Sequence, residues 1–346
     1  MRKRSTILIL ATILLSLFIS AQKKVGTTSM QFLKVMPTAR ATAMGDASVA
    51  FIDGIDAVFW NPAGLTSIQN QEIATTYTLW IFDTKQDAIA YGINLGDYGT
   101  IGAQFQMTDI GNIEETKASL TQFDGSGNFN PGLTGNTFTP LSLLVGVSYA
   151  QKLTDHFSTG VSIKYATEAL WEGNSIVAPL ENKAGAKQET YNATAKVFLF
   201  DFGMRYNTGY KSLQIGASVQ NFGSQVKFAV EDYPTPLQFR LGISGNLLGN
   251  DALFMPDEKN TLTVSYEILQ PNDYDQQMHF GAEYGFMNLF KLRAGYKYNY
   301  DNEGLTFGGG VKADVPGVLL GVDYSFGSMG TYLGNVHRIS LGVQFK

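Results

Sequence analysis

The feature that most constrains this fold is an alternation of apolar and polar residues that recurs in segments from about residue 71 to the C-terminus. In the stretch ISLGVQF (339–345), the odd positions are Ile, Leu, Val and Phe, and the even positions are Ser, Gly and Gln. A two-residue period is typical of β-strands. The segments are about ten residues long, which suits a tilted strand that crosses a bilayer, whereas about five or six is usual in soluble sheets. The pattern therefore predicts either a membrane barrel or an unusually long-stranded soluble sandwich.

The charged residues of these segments fall almost entirely on the parity opposite to the aliphatic and aromatic residues. They are Lys164, Asp201, Arg205, Arg240, Glu267, Glu283, Lys291, Arg293, Lys297, Lys312 and Asp323. A soluble sandwich would also separate its faces in this way, so alternation alone leaves both folds open. Three features together favour the barrel: the strand length, an N-terminal export signal, and Tyr and Phe near strand ends, as in aromatic girdles.

We predict fourteen antiparallel strands in one domain, residues 71–346, closed into an all-β transmembrane barrel. Their approximate ranges are 71–80, 86–96, 100–110, 141–153, 156–167, 196–207, 212–222, 237–247, 260–268, 276–286, 289–300, 304–314, 316–326 and 336–345. An even strand number, with short turns at one end and long loops at the other, is typical of bacterial barrels. Closure leaves no unpaired strand edge in the membrane.

Residues 1–21 are predicted to be a signal peptide. Met1–Arg4 is positively charged, Ser5–Ser20 is apolar, and Ala21 is a small residue at the cleavage point. A membrane anchor is the alternative, but the apolar run is short for a span of about 30 Å. No Cys follows it, which excludes a lipid-anchored lipoprotein. An exported chain with membrane-crossing strands is expected in an outer membrane of the Gram-negative type, surrounded by its lipid.

Residues 22–70 lack the alternation and form a compact, partly apolar segment ahead of the first strand. Within it, DAVFWNPAGL (56–65) combines Trp60 with an Asn-Pro turn. The polar face of the strands is rich in Gly, which often marks the close approach of another backbone. We therefore predict that 22–70 is a hatch inside the lumen, with Arg40 facing the inward carboxylates. The alternative is a flexible N-terminal tail.

Composition excludes several classes of function. The chain has no Cys, which removes thiolate catalysis and Cys-zinc sites. Its net charge of −5, without a basic patch, argues against binding to nucleic acid. His279 lies on the same face as Glu283, and we interpret this pair as wall lining rather than as an acid–base couple. No pattern indicates a cofactor, a metal site or an enzyme.

Two stretches resemble the N-terminal signature of the PorV/PorQ branch of the FadL-like outer-membrane barrels: ARATAMGDASVAF (39–51) and DAVFWNPAGL (56–65). The stretch GTTSMQFLKV (26–35) is similar to the lead-in of that branch. The resemblance implies a fourteen-stranded barrel whose pore is filled by a hatch, held in part by the Asn-Pro-Ala turn. The hatch and turn residues that it singles out are Arg40, Met44, Gly45, Asp46, Trp60, Asn61, Pro62, Ala63 and Gly64.

The resemblance carries two functional implications. The PorV/PorQ branch implies a link to type IX protein secretion, in which such barrels receive cargo proteins from a larger translocon or lie beside it. The FadL branch implies passive transport of long-chain fatty acids or other hydrophobic compounds. A third interpretation is a barrel that scaffolds other surface proteins, and all three remain open at the level of sequence.

Two predicted outer loops bear on these alternatives. Loop 111–140 is rich in Gly, Asn, Thr and Phe, a composition that suits adaptable contacts with partner proteins. Loop 168–195 holds candidates for an outer contact with a hydrophobic small molecule, namely Trp171, Ile176, Val177 and Leu180. Alternatively, these side chains only pack the loop onto the rim of the barrel.

Overall fold

The computed structural model describes residues 25–117, 120–123, 129–171, 175–179, 188–228 and 230–346. Fourteen antiparallel strands form one closed barrel, which confirms the predicted fold class. Residues 1–21, the predicted signal peptide, lie outside the described residues.

Each barrel strand pairs with its neighbours along the chain, and the last strand closes on the first. The strands are Gln71–Leu79 (β1), Lys85–Asn94 (β2), Thr100–Asp109 (β3), Leu141–Lys152 (β4), Phe157–Ala169 (β5), Thr194–Asn207 (β6), Gln214–Gly223 (β7), Gln238–Leu248 (β8), Asn260–Pro271 (β9), Gln277–Phe286 (β10), Phe290–Tyr298 (β11), Leu305–Val315 (β12), Val318–Ser328 (β13) and Asn335–Phe345 (β14). Gln71 of β1 is opposite Phe345 of β14. The largest boundary difference is in β9, which continues past residue 268 because Pro271 still pairs with Gln238.

The side chains of each strand alternate between the lumen and the outside. In β1, Glu72, Ala74, Thr76 and Thr78 are buried, whereas the residues between them are exposed. The charged residues assigned to one face by their parity point into the lumen, and most of them are buried. The outer face is aliphatic and aromatic, as hydrocarbon requires, because lipid cannot hydrate a charge.

The two ends of the barrel differ in the length of their connections. The turn end is where β1 begins and β14 finishes; its connections are short, as at 316–317, except for 249–259. The opposite end, the loop end, carries the long connections 110–140, 170–193 and 224–237. Short turns face the periplasm and long loops face outward in such barrels, so the loop end is the outer end.

The loops contain β-hairpins that the alternation did not predict. Within the described residues, Ile113–Thr116 pairs with Leu133–Phe138, Gln122–Phe123 with Phe129–Asn130, Ser175–Pro179 with Gln188–Asn192, and Val226–Phe228 with Glu231–Tyr233. These strands are short and lie beyond the membrane. They are not required to present one face to lipid, so their sequences carry no periodic signal.

Residues 25–70 cross the lumen from the loop end to the turn end, so the hatch lies inside the barrel as predicted. Near its start, Ser29 N–H donates to Pro234 O at 3.0 Å in a loop-end connection. Near its end, Asn94 Nδ2 donates to Ile68 O at 2.7 Å at the turn end. The hatch contains short helical segments at Gln31–Lys34, Ala39–Ala43, Gly54–Asp56, Ala57–Trp60 and Pro62–Ser67.

Outside the hatch, short helical segments lie at Ile81–Asp83, Gly96–Tyr98 and Gly330–Leu333. Among the described residues, none of the helices is both long enough and apolar enough to span a membrane.

Candidate functional site: the hatch and the lumenal wall

A belt of wall glycines makes room for the hatch backbone. A Cβ at Gly160 would lie 2.5 Å from the Pro62 carbonyl carbon, and a Cβ at Gly281 would lie 2.5 Å from Met44 O. The same holds, against other hatch atoms, for Gly92, Gly102, Gly203, Gly216, Gly242, Gly295 and Gly308. Because interiors are packed as densely as organic crystals, a larger residue at these positions would push the hatch away from the wall.

The Asn-Pro-Ala turn is fixed by its asparagine. Asn61 is 1 % exposed. Its Oδ1 accepts from Ala63 N–H at 3.2 Å, which caps the helical segment that starts at Pro62. Its Nδ2 donates to Val49 O at 2.7 Å and to Met204 O of β6 at 3.0 Å. One side-chain amide therefore joins the turn, a second part of the hatch and the wall.

The other residues of the turn are selected by close packing. Gly203 of β6 faces the Asn61 side chain, and a Cβ there would lie 2.7 Å from Pro62 Cδ. A Cβ at Gly64 would lie 2.8 Å from Ala57 Cβ and would collide with Ile52 O. Small residues are therefore required on both sides of this contact.

Trp60 occupies the middle of the hatch and is fully buried. Its Nε1 donates to Thr38 Oγ1 at 2.7 Å. The Arg240 guanidinium of β8 lies 5.1 Å from the centre of its ring, within the range of a cation–π interaction. The indole thus has both a hydrogen-bond partner and a charged neighbour from the wall.

Glu267 of β9 binds both the wall and the hatch. Its Oε1 accepts from Arg240 Nη1 at 2.7 Å. Its Oε2 accepts from the backbone N–H groups of Ser48 and Val49, each at 2.8 Å. The side chain is fully buried, so a carboxylate here depends on these donors for its stability.

Arg40 binds the wall through a second buried ionic cluster. Its Nε donates to Glu283 Oε2 of β10 at 3.1 Å, and its Nη2 donates to Oε1 at 3.3 Å. Arg293 of β11 bridges the same carboxylate, at 2.6 Å, to Asp323 of β13, also at 2.6 Å. The helical segment Ala39–Ala43 is thereby tied directly to β10 and, through Arg293, to β11 and β13.

Met44, Gly45 and Asp46 form the turn that follows Arg40. Gly45 and Asp46 have φ values of 64° and 65°, a left-handed conformation that Gly adopts without strain and Asp tolerates. The turn lies against Gly281 and Gly295 of the belt. Asp46 Oδ2 forms an ion pair with Lys297 Nζ at 2.6 Å.

At the loop end the hatch is held by Asp273, in the connection between β9 and β10. Thr28 Oγ1 donates to Asp273 Oδ2 at 2.6 Å, and Lys34 forms an ion pair with the same oxygen. Burial raises the pKa of the Asp273 carboxyl, but the hydrogen bonds from Lys34 and Thr28 outweigh it and hold the pKa below its ordinary value. We call this cluster the outer latch.

One sector of the lumen is not filled by the hatch. Gly321 of β13 and Gly342 of β14 have no atom within 4 Å of a Cβ position. Cavities of about 610 Å³ and about 440 Å³ adjoin this sector at the turn end, and Arg40, Lys312 and Leu319 line both. The space behind the two glycines has a mixed lining, whose charged side chains are Arg40, Asp53, Asp56, Glu72, Lys312 and Asp323.

The candidates for an outer hydrophobic contact are only partly described. Trp171 is half-buried, and its ring lies 4.4 Å from the ring centre of Phe138. It therefore joins the two longest loops at the rim. Ile176 and Val177 belong to a hairpin strand opposite Tyr191 and Thr190, and Leu180 lies outside the described residues. A shared site for a small molecule at these four residues stays a prediction.

The prediction from parity that His279 lies in the lumen is confirmed, but the prediction that Glu283 is its neighbour is wrong. Its Nε2 is 2.8 Å from Tyr300 Oη, and its Nδ1 is 3.6 Å from Glu267. Cross-strand pairing sets Glu267 beside His279, whereas four residues along a strand span about 13 Å. Among the described residues, no cluster of three or more His, Cys, Asp or Glu is arranged to hold a metal ion.

Sequence reasoning missed the wall residues that bind the hatch backbone. Gln104 Nε2 donates to Val58 O at 2.9 Å, and Gln220 Nε2 donates to Trp60 O at 2.8 Å. Glu72 Oε2 accepts from Ile55 N–H at 2.8 Å. Their only signal in the sequence is a large polar side chain on the inward parity, which does not reveal a specific partner.

Comparisons with known proteins agree with this architecture. The Pseudomonas putida toluene transporter TodX superposes with a TM-score of 0.57 at 14% sequence identity, covering 88% of this chain and 96% of that chain. A TodX deltaS2S3 mutant, described as a monoaromatic hydrocarbon channel, gives a TM-score of 0.56 at 16% identity, covering 88% and 97%. Identities this low indicate a shared fold and no more. No curated protein matches the chain.

The sequence itself matches a family model. The model, described as Type IX secretion system protein PorV, matches residues 18–271 of the 346. The match includes the whole of the hatch described above and the barrel through β9. It agrees with the resemblance carried by the two hatch stretches, and the chain therefore belongs to the PorV family of type IX secretion system proteins.

Proposed function

We propose that this chain is an outer-membrane component of type IX protein secretion that works as a plugged barrel, through its outer surfaces, with the hatch in place. The observation that carries the proposal is the PorV family match, which spans the hatch and most of the barrel. In this proposal residues 1–21 direct export, 22–70 form the hatch and 71–346 form the barrel. The partners are a secretion translocon and the cargo proteins that it delivers.

The contacts of the hatch support a role in which the lumen stays closed. Hatch backbone groups are bound by side chains from the wall, such as Glu267, Gln220 and Gln104. Breaking a buried hydrogen bond of this kind leaves a polar group unsatisfied and costs about 1–3 kcal/mol. The Arg40 and Asp273 clusters add further attachments near the two ends. A pore that opens by releasing the hatch would have to break all of these contacts together.

The unfilled part of the lumen is ill suited to a hydrophobic substrate. Its lining includes Arg40, Asp56, Glu72, Lys312 and Asp323. An apolar molecule that enters this space must displace water from charged groups, and each such group loses hydration without gaining a partner. The apolar side chains of the hatch, which could have lined an apolar path, are packed against the wall.

The loop end offers the surface for partner proteins. The described parts of the loops there include paired hairpins, and the contact between Trp171 and Phe138 joins the two longest loops. Loops on a rigid scaffold are common carriers of protein recognition. We assign the contact with cargo or translocon to this end.

A disulfide lock tests whether the hatch must move. Thr42 Oγ1 of the hatch lies 2.8 Å from Ser325 Oγ of β13, so a T42C/S325C pair can link hatch and wall. The control is T76C/S340C, whose hydroxyl oxygens lie 2.7 Å apart but belong to two wall strands, β1 and β14. The chain has no Cys of its own, so neither pair has a competing thiol.

Both variants would be placed in a strain that lacks the native chain, and the secretion of cargo proteins of the type IX system would be measured. We expect the oxidised lock and the control to restore secretion equally. Secretion lost in the lock alone, and regained with reductant, would contradict the plugged-barrel mechanism. A pull-down from native membranes in mild detergent, read by mass spectrometry, tests the partners. Recovery of lipid without any secretion protein would contradict the role in secretion.

The alternative function is passive transport of long-chain fatty acids or other hydrophobic compounds, and the unfilled sector beside β13 and β14 is the observation that favours it. The same variants discriminate. Purified protein in liposomes should not accelerate the entry of labelled fatty acid or toluene, whether the lock is open or closed. Uptake that the lock abolishes would establish transport instead.

A further inference from the structure

A groove lies on the outer wall near the loop end, where β6 extends beyond the end of its neighbour β7. The last register pair between these strands is Leu199 with Gly223, whereas β6 begins at Thr194. Residues 194–198 of β6 therefore extend toward the loop end without a β7 neighbour in the described ladder. The groove encloses about 560 Å³ and is lined mainly by Tyr165, Lys196, Phe198, Phe200 and Phe222.

Gly223 allows the chain to pass close to β6 where β7 ends. A Cβ at Gly223 would lie 2.7 Å from both Phe198 O and Leu199 Cδ2. Only Gly permits the chain to pass so close to β6 as it leaves the wall. Val226, three residues later, is buried in a cluster that includes Leu199 and Met30. The chain has thus turned inward, and the outer surface beside Phe198 is left uncovered.

The floor and sides of the groove are aromatic. Phe198 is 61 % exposed and Phe222 is 54 % exposed. The Tyr165 and Phe198 rings are 5.1 Å apart. These side chains continue the outward apolar face that lipid covers in such barrels. The acyl chain of a lipid is therefore the molecule that we expect to contact this part of the groove.

Lys196 stands at the mouth of the groove. Within the fourteen barrel strands, Lys85 and Lys196 are the two lysine or arginine side chains on the outward parity. Lys85 is opposite Asp109 in the ladder, whereas Lys196 has no ion-pair partner in the described part of the chain. From Lys196 to Phe200 the strand descends about 9 Å toward the membrane centre, for a rise of about 3.3 Å per residue and a tilt of about 45°. A cation just above an apolar groove matches a lipid with a charged headgroup.

We propose that this groove binds a phosphorylated glycolipid of the outer leaflet, of the lipid A type. Its phosphate contacts the Lys196 ammonium, and one acyl chain lies along Phe198, Phe200 and Phe222. The loop end faces outward, and the outer leaflet there is built from such glycolipids. Their phosphates supply the negatively charged partner that Lys196 lacks within the described chain. The inference stands on β6 and β7 alone and does not depend on the proposed role in secretion.

The test measures lipid retained by the full chain, purified in mild detergent and titrated with lipid A, phosphatidylglycerol or phosphatidylcholine, by native mass spectrometry. We expect one tightly retained lipid A, with retention reduced about fivefold to tenfold in Lys196→Glu and preserved in Lys196→Arg. Lys85→Glu is the matched control, because it reverses an outward lysine that already faces Asp109 in the ladder, and its retention should equal that of the native chain. Equal retention of lipid A by native chain and Lys196→Glu, or equal retention of phosphatidylcholine, would show ordinary surrounding lipid and overturn the proposal.

A photo-crosslinking residue in place of Phe198 provides a second readout in intact cells. We expect a crosslinked product that carries lipid A and shifts in mass by that amount. A product that contains another protein would show that the groove is a protein contact within the membrane, and would also overturn the proposal.

Discussion

The contacts of Asn61 predict that its replacement releases the central part of the hatch while leaving the barrel closed. The side chain binds Ala63 N–H, Val49 O and Met204 O. Asn61→Ala removes all three contacts. Asn61→Asp keeps the acceptor that caps the helical segment but replaces the donating amide with a carboxylate that faces two carbonyl oxygens. The two variants therefore separate the cap from the links to Val49 and to the wall.

The size of the effect follows from burial. A buried carbonyl left without its donor costs about 1–3 kcal/mol, and an ordinary hydrogen bond is worth about 0.5–1.5 kcal/mol. Loss of the cap costs about 1 kcal/mol more. For Asn61→Ala the docked hatch should lose about 3–5 kcal/mol, which raises the undocked fraction by at least about 100-fold. Asn61→Asp should be at least as damaging, because it adds electrostatic repulsion.

Hydrogen exchange of the detergent-solubilised protein, read by mass spectrometry, measures this loss directly. Peptides from residues 48–67 should exchange faster in both variants, whereas peptides from barrel strands should keep their native protection. Asn70→Ala is the control, because Asn70 is exposed and its side chain makes a long hydrogen bond of 3.4 Å to Lys346 O. If Asn61→Ala left the protection of 48–67 unchanged, or if Asn61→Asp behaved as the native chain, the amide would not be the link that the structure indicates.

Three further predictions compare variants of this barrel with each other or with the native chain. Gly160→Ala should weaken hatch docking, because its Cβ meets Pro62 at 2.5 Å, whereas Gly342→Ala, which meets nothing within 4 Å, should not; conductance in planar bilayers compares the two, and equal behaviour would contradict the packing argument. Glu267→Gln should lower the stability of the folded chain by about 3–5 kcal/mol, because it leaves a buried guanidinium without its counter-charge; chemical unfolding followed by intrinsic fluorescence measures it, and an unchanged midpoint would refute it. Because the pKa of Asp273 is lowered in the folded chain, the outer latch should be fully stabilising above about pH 5 and should weaken as the pH falls below about 4. Limited proteolysis of the outer part of the hatch should become faster as the latch weakens. In Asp273→Asn, the rate of this proteolysis should not depend on pH across that range.

Strand number and orientation were predictable because lipid imposes a constraint on every second residue. A charge at Ile339 or Leu341 would face hydrocarbon, so the alternation there is nearly strict. The constraint weakens where the chain leaves the membrane. The hairpin that pairs Val226–Phe228 with Glu231–Tyr233 was missed for this reason. The same freedom explains why the end of β9 was placed too early.

The hatch site was predictable in part, since residue type constrains contacts more weakly than it constrains faces. Gly160 and Gly342 both lie on the inward face, yet only Gly160 touches the hatch. No property of either residue distinguishes them, because the difference arises from the path of the hatch across the lumen. The outer latch is equally hidden, as Thr28 and Asp273 are separated by 245 residues along the chain.

The short elements of the hatch show that it cannot leave the lumen as a folded unit. Its helical segments are three to six residues long, and isolated helices shorter than about 12–15 residues are marginal in water. Its larger apolar cluster is completed by wall alanines such as Ala88. In a second cluster, three hatch residues pack among wall residues such as Leu144. Its central backbone groups are bound by Gln104, Gln220 and Glu267 of the wall. Release of the hatch would therefore require local unfolding and the loss of all these contacts at once. For this physical reason we expect a barrel that binds its partners while the hatch remains in the lumen.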